Sequence, residues 1–445
     1  MIRKNRYTIL VAFSLILFGA IILFAKKPKK EIVRYKERTG SIALTGEWMD
    51  TKKAIENLLA VIELEPENYK AKLSLSQAYI QESRITGDHG FYDSAALELL
   101  DDVLANEPKN FDALCCKATV LLSQHHFADA LVVAKEALPI NPNSAFIYGL
   151  MCDSYVELGN YAEAVKMADK MISIRPDIRS YARVSYLREI HGDLNGAIQA
   201  SKLAVGAGYP GLEQTEWTRM ILAHLYESTG HLDTAEYQYK LALQERPDYA
   251  FAIAGLGKIE KTKGNYKEAI SYYEKAKGMI IEYSFSDELT DLYRLNNEKE
   301  KATASAKSVI DMLSPISNAD ESSSAHGHYA DKELAYAYLK TNDTDNALKH
   351  ALLEFERRPN NIDVCETVAW VLYKKGDFTK ANQVITRALA TNCKNPVLLC
   401  HAGLIKIKAG EKDKGMALIK AALIANPVIF DLELKNEASK YLSSI

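Results

Sequence analysis

The chain lacks the short motifs that usually mark catalysis. No phosphate-cradling glycine loop, Gly-x-Ser-x-Gly elbow, His-Glu-x-x-His helix or Cys-x-x-Cys pair occurs in its 445 residues. Nucleotide transfer, serine hydrolysis and paired-thiol metal binding are thereby left without their usual anchors. Cysteine is sparse. The six, at Cys115, Cys116, Cys152, Cys365, Cys393 and Cys400, lie mostly in apolar helical stretches. That argues against a small disulfide-stapled fold and marks most of them as small core residues. A basic surplus is missing too: the first 30 residues hold seven basic and no acidic side chains, so 48 basic face 58 acidic residues in the rest, a net charge near −10. Such a surface repels phosphate backbones, which argues against nucleic acid as a partner.

Long apolar runs are also absent, with one exception. Tyr7 to Ala25, with Leu15 and Phe18 inside it, is uncharged, and at about 1.5 Å per residue it is long enough to span a bilayer core. Arg3, Lys4 and Arg6 precede it; Lys26, Lys27, Lys29 and Lys30 follow. An uncleaved single-pass anchor is favoured, because the run is long for a signal peptide and four lysines make a poor cleavage context. A cleaved signal, with a secreted or periplasmic product, is the competing reading. Positive charge flanks both ends, so the side of the membrane stays open.

What the chain has in abundance is period. Pro108, Pro142 and Pro176 are 34 residues apart, and Pro359, Cys393 and Pro427 resume that step. Ala130 and Ala164, Ala235 and Ala269, and Ala347 and Ala381 keep it as well, as do Gly230 and Gly264, and Gly376 and Gly410. Within Ser144 to Pro176, Leu150, Met151 and Tyr155 mark a first helix, Gly159-Asn160 a turn, and Ala164, Ala168 and Met171 a second helix. Small alanines let two helices approach closely, and proline ends the second. A fixed period of this length is the trace of stacked helical hairpins, none able to bury its apolar face alone.

These residues resemble the tetratricopeptide repeat. Leu222-Ala223 with Tyr226, Gly230, Ala235, Tyr239 and Pro247 fit one unit. Leu256-Gly257 with Gly264, Ala269, Tyr273 and Ala276 fit the next, and Leu334-Ala335 with Tyr338, Ala347, Ala351 and Pro359 a third. The expected architecture is all-α: a solenoid of roughly ten hairpins between Tyr69 and Ile429, behind one N-terminal transmembrane helix. The chain divides into an anchor or signal peptide (1–30), a linker (31–50), a first repeat block (51–313), a polar flexible loop (314–328), a second block (329–429) and a capping helix (430–445). Half a repeat is expected at Thr51 to Pro66, burying Ala54, Leu58, Val61 and Leu64. Two departures from the period predict a projecting turn at Ile85 to Phe91 and a lengthened link at Val205 to Thr215.

The resemblance implies a right-handed superhelix whose concave face, lined by first helices, grips an extended peptide or a partner helix. On that face belong Phe146, Leu150, Leu187, Trp217, His224, Phe251, Tyr329, Tyr336, Trp370, Tyr373 and Leu404, about half of which are expected to be core instead. The Lys and Asn combination with which one subclass clamps a chaperone's terminal carboxylate is missing. His326-Gly327-His328 near Asp331 and Glu333 is the one arrangement with a metal site's composition, and it is too sparse to predict one. Neither catalytic residue nor cofactor is expected. The function expected is a membrane-tethered, non-enzymatic scaffold that binds other proteins and assembles an envelope-associated complex. The alternative is an accessory subunit of a membrane enzyme or transferase whose chemistry lies in another chain.

Overall fold

The computed structural model describes residues 32–317, 328–428 and 431–442. The expected anchor, including Tyr7, Leu15, Phe18 and Ala25, lies outside them, and no described helix is long and apolar enough to cross a membrane. The chain divides into two units, Met1–Tyr35 and Lys36–Ile445. Of the first, only residues 32–35 are described, and they form no helix.

In the second unit a 3₁₀ turn, Gly40–Leu44, precedes α1, Gly46–Leu64. Twenty helices then pair into hairpins: α2 Tyr69–Thr86 with α3 His89–Asn106, α4 Phe111–Ser123 with α5 Phe127–Ala137, α6 Ala145–Glu157 with α7 Tyr161–Ile174, α8 Ile178–Ile190 with α9 Leu194–Gly206, α10 Glu213–Ser228 with α11 Leu232–Glu245, α12 Ala250–Lys263 with α13 Tyr266–Lys277, α14 Tyr283–Leu295 with α15 Lys299–Ser317, α16 Asp331–Lys340 with α17 Thr344–Arg357, α18 Ile362–Lys375 with α19 Phe378–Ala388, and α20 Pro396–Lys408 with α21 Lys412–Ala425. The last helix, α22, is Leu432–Leu442. Among the described residues there is no strand.

The recurring residues have recurring jobs. A Pro-x-Asn step ends one hairpin and starts the next: after Pro66, Pro108 and Pro359, the side chains of Asn68, Asn110 and Asn361 accept from the backbone N–H groups of Ala71, Ala113 and Val364 at 3.0 to 3.1 Å. Each such cap satisfies an orphan donor of a first helix, worth about 1 kcal/mol. Ala130, Ala164, Ala235, Ala269, Ala347 and Ala381 are all fully buried. They sit where the helices of a hairpin pack. Gly257 answers the tyrosine of its own second helix, since a Cβ there would lie 2.9 Å from the Tyr273 ring.

First helices of neighbouring hairpins also pack on one another, which second helices scarcely do. First helices therefore line the inner side of the curve. The curve closes: the turns of early hairpins touch the links between late ones. Ile281 N–H donates to Thr86 O at 2.9 Å and Tyr329 N–H to Gln124 O at 3.1 Å. Asn361 Nδ2 donates to Glu157 O at 3.0 Å and Asn426 Nδ2 to Glu227 O at 2.8 Å, at separations of 204 and 199 residues. With a 34-residue repeat, one coil takes about six hairpins.

Three expectations are corrected. The extra residues at Ile85 to Phe91 do not project; they extend α2 and α3 to 18 residues each and leave Gly87-Asp88 between them. An added Cβ on Gly87 would overlap the Ile281 carbonyl, so this turn is docked, not free. α1 begins at Gly46 and buries Trp48, Ile55, Leu59 and Ile62, while Val61 and Leu64 are exposed. The expected stripe was rotated because Trp48, in the segment read as linker, belongs to the core and fixes the helix's facing. Ser314 is still helical, its hydroxyl donating to Ile310 O at 2.7 Å, and α15 runs to Ser317. Residues 318–327 of the expected flexible loop lie outside the described residues. Of the cap, Leu434 and Ala438 are buried.

Candidate functional site

The inner face is built from first helices, and charge dominates it. Arg183 on α8 donates to Asp153 on α6 at 2.8 and 2.5 Å. Lys258 on α12 reaches back to Glu227 on α10 at 2.8 Å, and Lys261 reaches forward to Glu288 on α14 at 2.8 Å. Lys340 on α16 meets both Asp287 and Asp291 on α14 at 2.8 Å. The ion pairs thus run from helix to helix. Burial pushes the Glu227 carboxyl up, but Lys258 and then His224 bring it down to about 2. Glu288 is likewise held at about 2, burial being outweighed by Lys261 and Lys340. Removing one partner from such a pair would strand a charge in a poorly solvated place.

Not every inner group is so matched. Glu189 lies 4.0 Å from His224, and burial raises its carboxyl despite that imidazole, helped by Asp363. Tyr186, one turn earlier on α8, is 37% exposed, yet it stands among the inner helices, where burial first and then Asp363 and Glu157 push its phenol well above its ordinary value. Tyr186 and His224 are the exposed side chains of this stretch of α8 and α10, and His224 stands between the mostly buried Glu189 and Glu227.

The residues expected in a groove scatter. Trp217 is 40% exposed and meets Phe251 edge-on at 5.0 Å, and Phe251 meets Phe285 at 5.7 Å. These three lie 34 residues apart, an aromatic ladder across three first helices. Phe285 was the rung that sequence reading missed, though the spacing carried the signal. His224, exposed, stands 3.6 Å from Glu227 and bridges α8 and α10. Phe146 is half-buried with the Arg179 guanidinium 5.2 Å over its ring, and Tyr336 is half-buried beside the core.

Leu150, Leu187, Trp370, Tyr373 and Leu404 are 0 to 7% exposed and belong to the core. Trp370 is stacked between His401 at 3.8 Å and Tyr373 at 4.9 Å, and the Tyr373 hydroxyl donates to Glu437 of α22 at 2.7 Å. These side chains point from first helices into the next hairpin. Tyr329 belongs to the closing seam: its carbonyl meets His125 Nδ1 at 2.8 Å and its ring stacks on His126 at 4.0 Å. His326 and Gly327 lie outside the described residues. Asp331 is taken by His350 at 2.6 Å and by Arg357, and the His328 ring lies tilted against His125, 4.2 Å between centroids. All six cysteines are free thiols.

The repeat family's models match residues 121–188 and 252–279, both described as tetratricopeptide repeat. The chain carries tetratricopeptide repeats. It is similar to anaphase-promoting complex subunit CDC16 of Saccharomyces cerevisiae, 22% identical over 274 residues that make up 60% of this chain and 31% of that one. It is also similar to human protein O-mannosyl-transferase TMTC1, 24% identical over 162 residues, 35% of this chain and 18% of that. The chain therefore spans under a third of the length of these curated relatives. Among solved structures, a tetratricopeptide repeat protein from Parabacteroides merdae covers 56% of this chain and 93% of its own, with a TM-score of 0.42 and 19% identity.

Proposed function

We propose that the protein is a non-enzymatic, membrane-tethered scaffold that binds segments of other proteins on the inner face of its coil and so assembles an envelope-associated complex. One observation carries this reading: ten hairpins turn their first helices to one continuous inner surface, on which Tyr186 and His224 remain accessible. The tether rests on Tyr7 to Ala25, whose length and flanking charges suit an anchor. The superhelix is taken as right-handed on the family resemblance. An accessory subunit of a membrane transferase is the second reading, and the similarity to a stretch of TMTC1 favours it over other enzyme-linked roles.

The test uses the full chain as bait in detergent-solubilised membranes. Tyr186→Ala with His224→Ala, both exposed, should leave helicity intact and lower capture of the native binding protein several-fold, since exposed aromatic anchors concentrate binding energy. Capture of the same protein at parental strength would sink the inner-face reading. A single co-purifying membrane enzyme, with no other protein captured, would promote the second reading. Release of the protein from membranes in soluble form with residues 1–25 removed in vivo would sink the tether.

A further inference from the structure

Early turns meet late links at Gly87, Gln124, Gly159, Gly192 and Glu227. Among the described residues, only the second of these joints has a histidine on each side. There the α4–α5 turn meets residues 328–330: the His126 ring stacks on Tyr329 at 4.0 Å, and His328 lies tilted against His125 at 4.2 Å. His125 Nδ1 stands 2.8 Å from Tyr329 O, next to the Tyr329 N–H bond to Gln124 O. A carbonyl only accepts, so Nδ1 carries the hydrogen and Nε2 is where a further proton would go.

Cations already flank these rings. The Arg358 guanidinium lies 4.6 Å over Phe127, which itself stacks on His125 at 5.3 Å, and Arg357 lies 4.2 Å over Tyr329. Lys332 faces His125 from the start of α16, and His89 and His126 face His328. Most acids in reach are engaged: Asp331 with His350 and Arg357, Glu157 and Glu354 with Arg358, Asp129 beside His126 at 3.5 Å, and Asp93 beside His89 at 3.2 Å. Asp363 lies toward Lys332. Glu333, 3.7 Å from Lys332, is the acid that faces His125. A proton added to His125 or His328 thus enters a stack bordered by cations, with one shared carboxylate to offset it.

We propose that this joint is an acid-released clasp: protonation of the His125–His328 pair parts residues 328–330 from the α4–α5 turn, and the two coils separate there while every hairpin stays folded. Once parted, both imidazoles return to their ordinary value near 6.5, whereas burial keeps them lower in the closed joint. Parting therefore takes up protons. The clasp holds in full above about pH 6.5 and weakens as pH falls below it. His89, raised by Asp93, already carries its charge as that happens and adds to the repulsion on His328. The device acts on the seam and stands independently of the scaffold reading.

The test is hydrogen exchange of the full chain in detergent, read by mass spectrometry and corrected for the intrinsic pH dependence of exchange. Between about pH 7.5 and about pH 5.5, protection of Tyr329 to Leu334 should fall about tenfold, the change expected for one proton taken up over one unit below 6.5. Helicity should stay constant. The joint of Glu227 with Asn426, whose carboxyl is held at about 2 and stays ionised, should keep its protection within about twofold. His328→Phe keeps a ring without a titrating nitrogen and should flatten the response. Adding His125→Asn, a residue that tolerates the left-handed φ of 63°, should abolish it. If the double variant is already parted at about pH 7.5, His328→Phe alone decides. Equal protection at both pH values, a loss spread evenly over all hairpins, or an unaltered response in His328→Phe would each overturn the proposal.

Discussion

Gly159 and Gly376 hold the same place in their hairpins, both with left-handed φ, +74° and +84°. A Cβ on Gly159 would overlap the backbone of Asn360, whereas one on Gly376 would meet nothing within 4 Å. The repeat gives both positions the same local requirement; only one has a second. The difference follows from length. A coil of about six hairpins lets the links of late hairpins reach the turns of early ones, and the latest turns, at Gly376 and Gly410, have no further coil to meet. Early turns are therefore joints, and late turns are ordinary loops.

The largest effect expected from this contrast is at Arg358. Its side chain, 5% exposed, holds Glu354 of its own coil at 2.5 Å and Glu157 across the seam. Arg358→Met should cost about 3 kcal/mol, near the lower end for breaking a buried pair, since Arg357 still reaches Glu354. Lys375→Met on a late turn loses only its pair with Asp345, 91% exposed, and should cost no more than about 1 kcal/mol. Chemical denaturation followed by circular dichroism measures both, and equal losses would dissolve the distinction between joint and loop.

Next in size is the glycine pair itself. Gly376→Ala should cost about 1 kcal/mol, the penalty of a Cβ in the left-handed region. Gly159→Ala adds overpacking against Asn360, for a total of roughly 2 to 4 kcal/mol. Hydrogen exchange should show the excess opening at the Asn361–Glu157 contact, because solenoid stability is carried by neighbouring interfaces. Equal penalties would mean that the coils do not touch there in solution.

The smallest expected effect is in pH. At the joint of α4–α5 with residues 328–330, burial lowers the His125 imidazole from 6.5, with Glu333 opposing and Lys332 and Arg358 assisting. Burial and then His125, His89 and His126 hold His328 well below 6.5. Both stay neutral in the folded coil while the unfolded chain takes up protons, so their stabilisation is complete above about pH 6.5 and declines as pH falls. His89 runs the other way: Asp93 raises it despite burial, so its contribution is present in acid and lost as pH rises. The net expectation is a melting temperature a few degrees lower at about pH 5.5 than at about pH 7, with a flatter profile in His328→Leu. An unchanged profile in that variant would remove the histidines from the joint.

The tetratricopeptide repeats were legible because each needs the same local solution: alanine where two helices touch, left-handed residues at the turn, and a proline followed by a capping asparagine. His125, Asn297 and Asn342 show how strong that demand is, adopting φ of 60° to 63° where sister repeats have glycine. The candidate site was half legible. Trp217 and His224 are exposed and Phe251 is half-buried, but the resemblance that nominated them for the inner face nominated Trp370 as well, and Trp370 and Trp217 look alike in the sequence and differ in fate. Which way a first-helix aromatic points depends on the neighbouring hairpin, and Tyr373, His401 and Lys374 enclose Trp370 where nothing comparable covers Trp217.

By itself the sequence determined the hairpin, its period and the order of stacking, because these follow from contacts within one repeat or between adjacent ones. Closure of the coil was decided only in three dimensions. It depends on small rotations between hairpins summed over some 200 residues, and no local pattern records that sum. The seam at Glu157 and Asn361, the docked turn at Gly87 and a cavity beneath Lys36–Glu47 are its consequences, each formed by residues far apart in the chain.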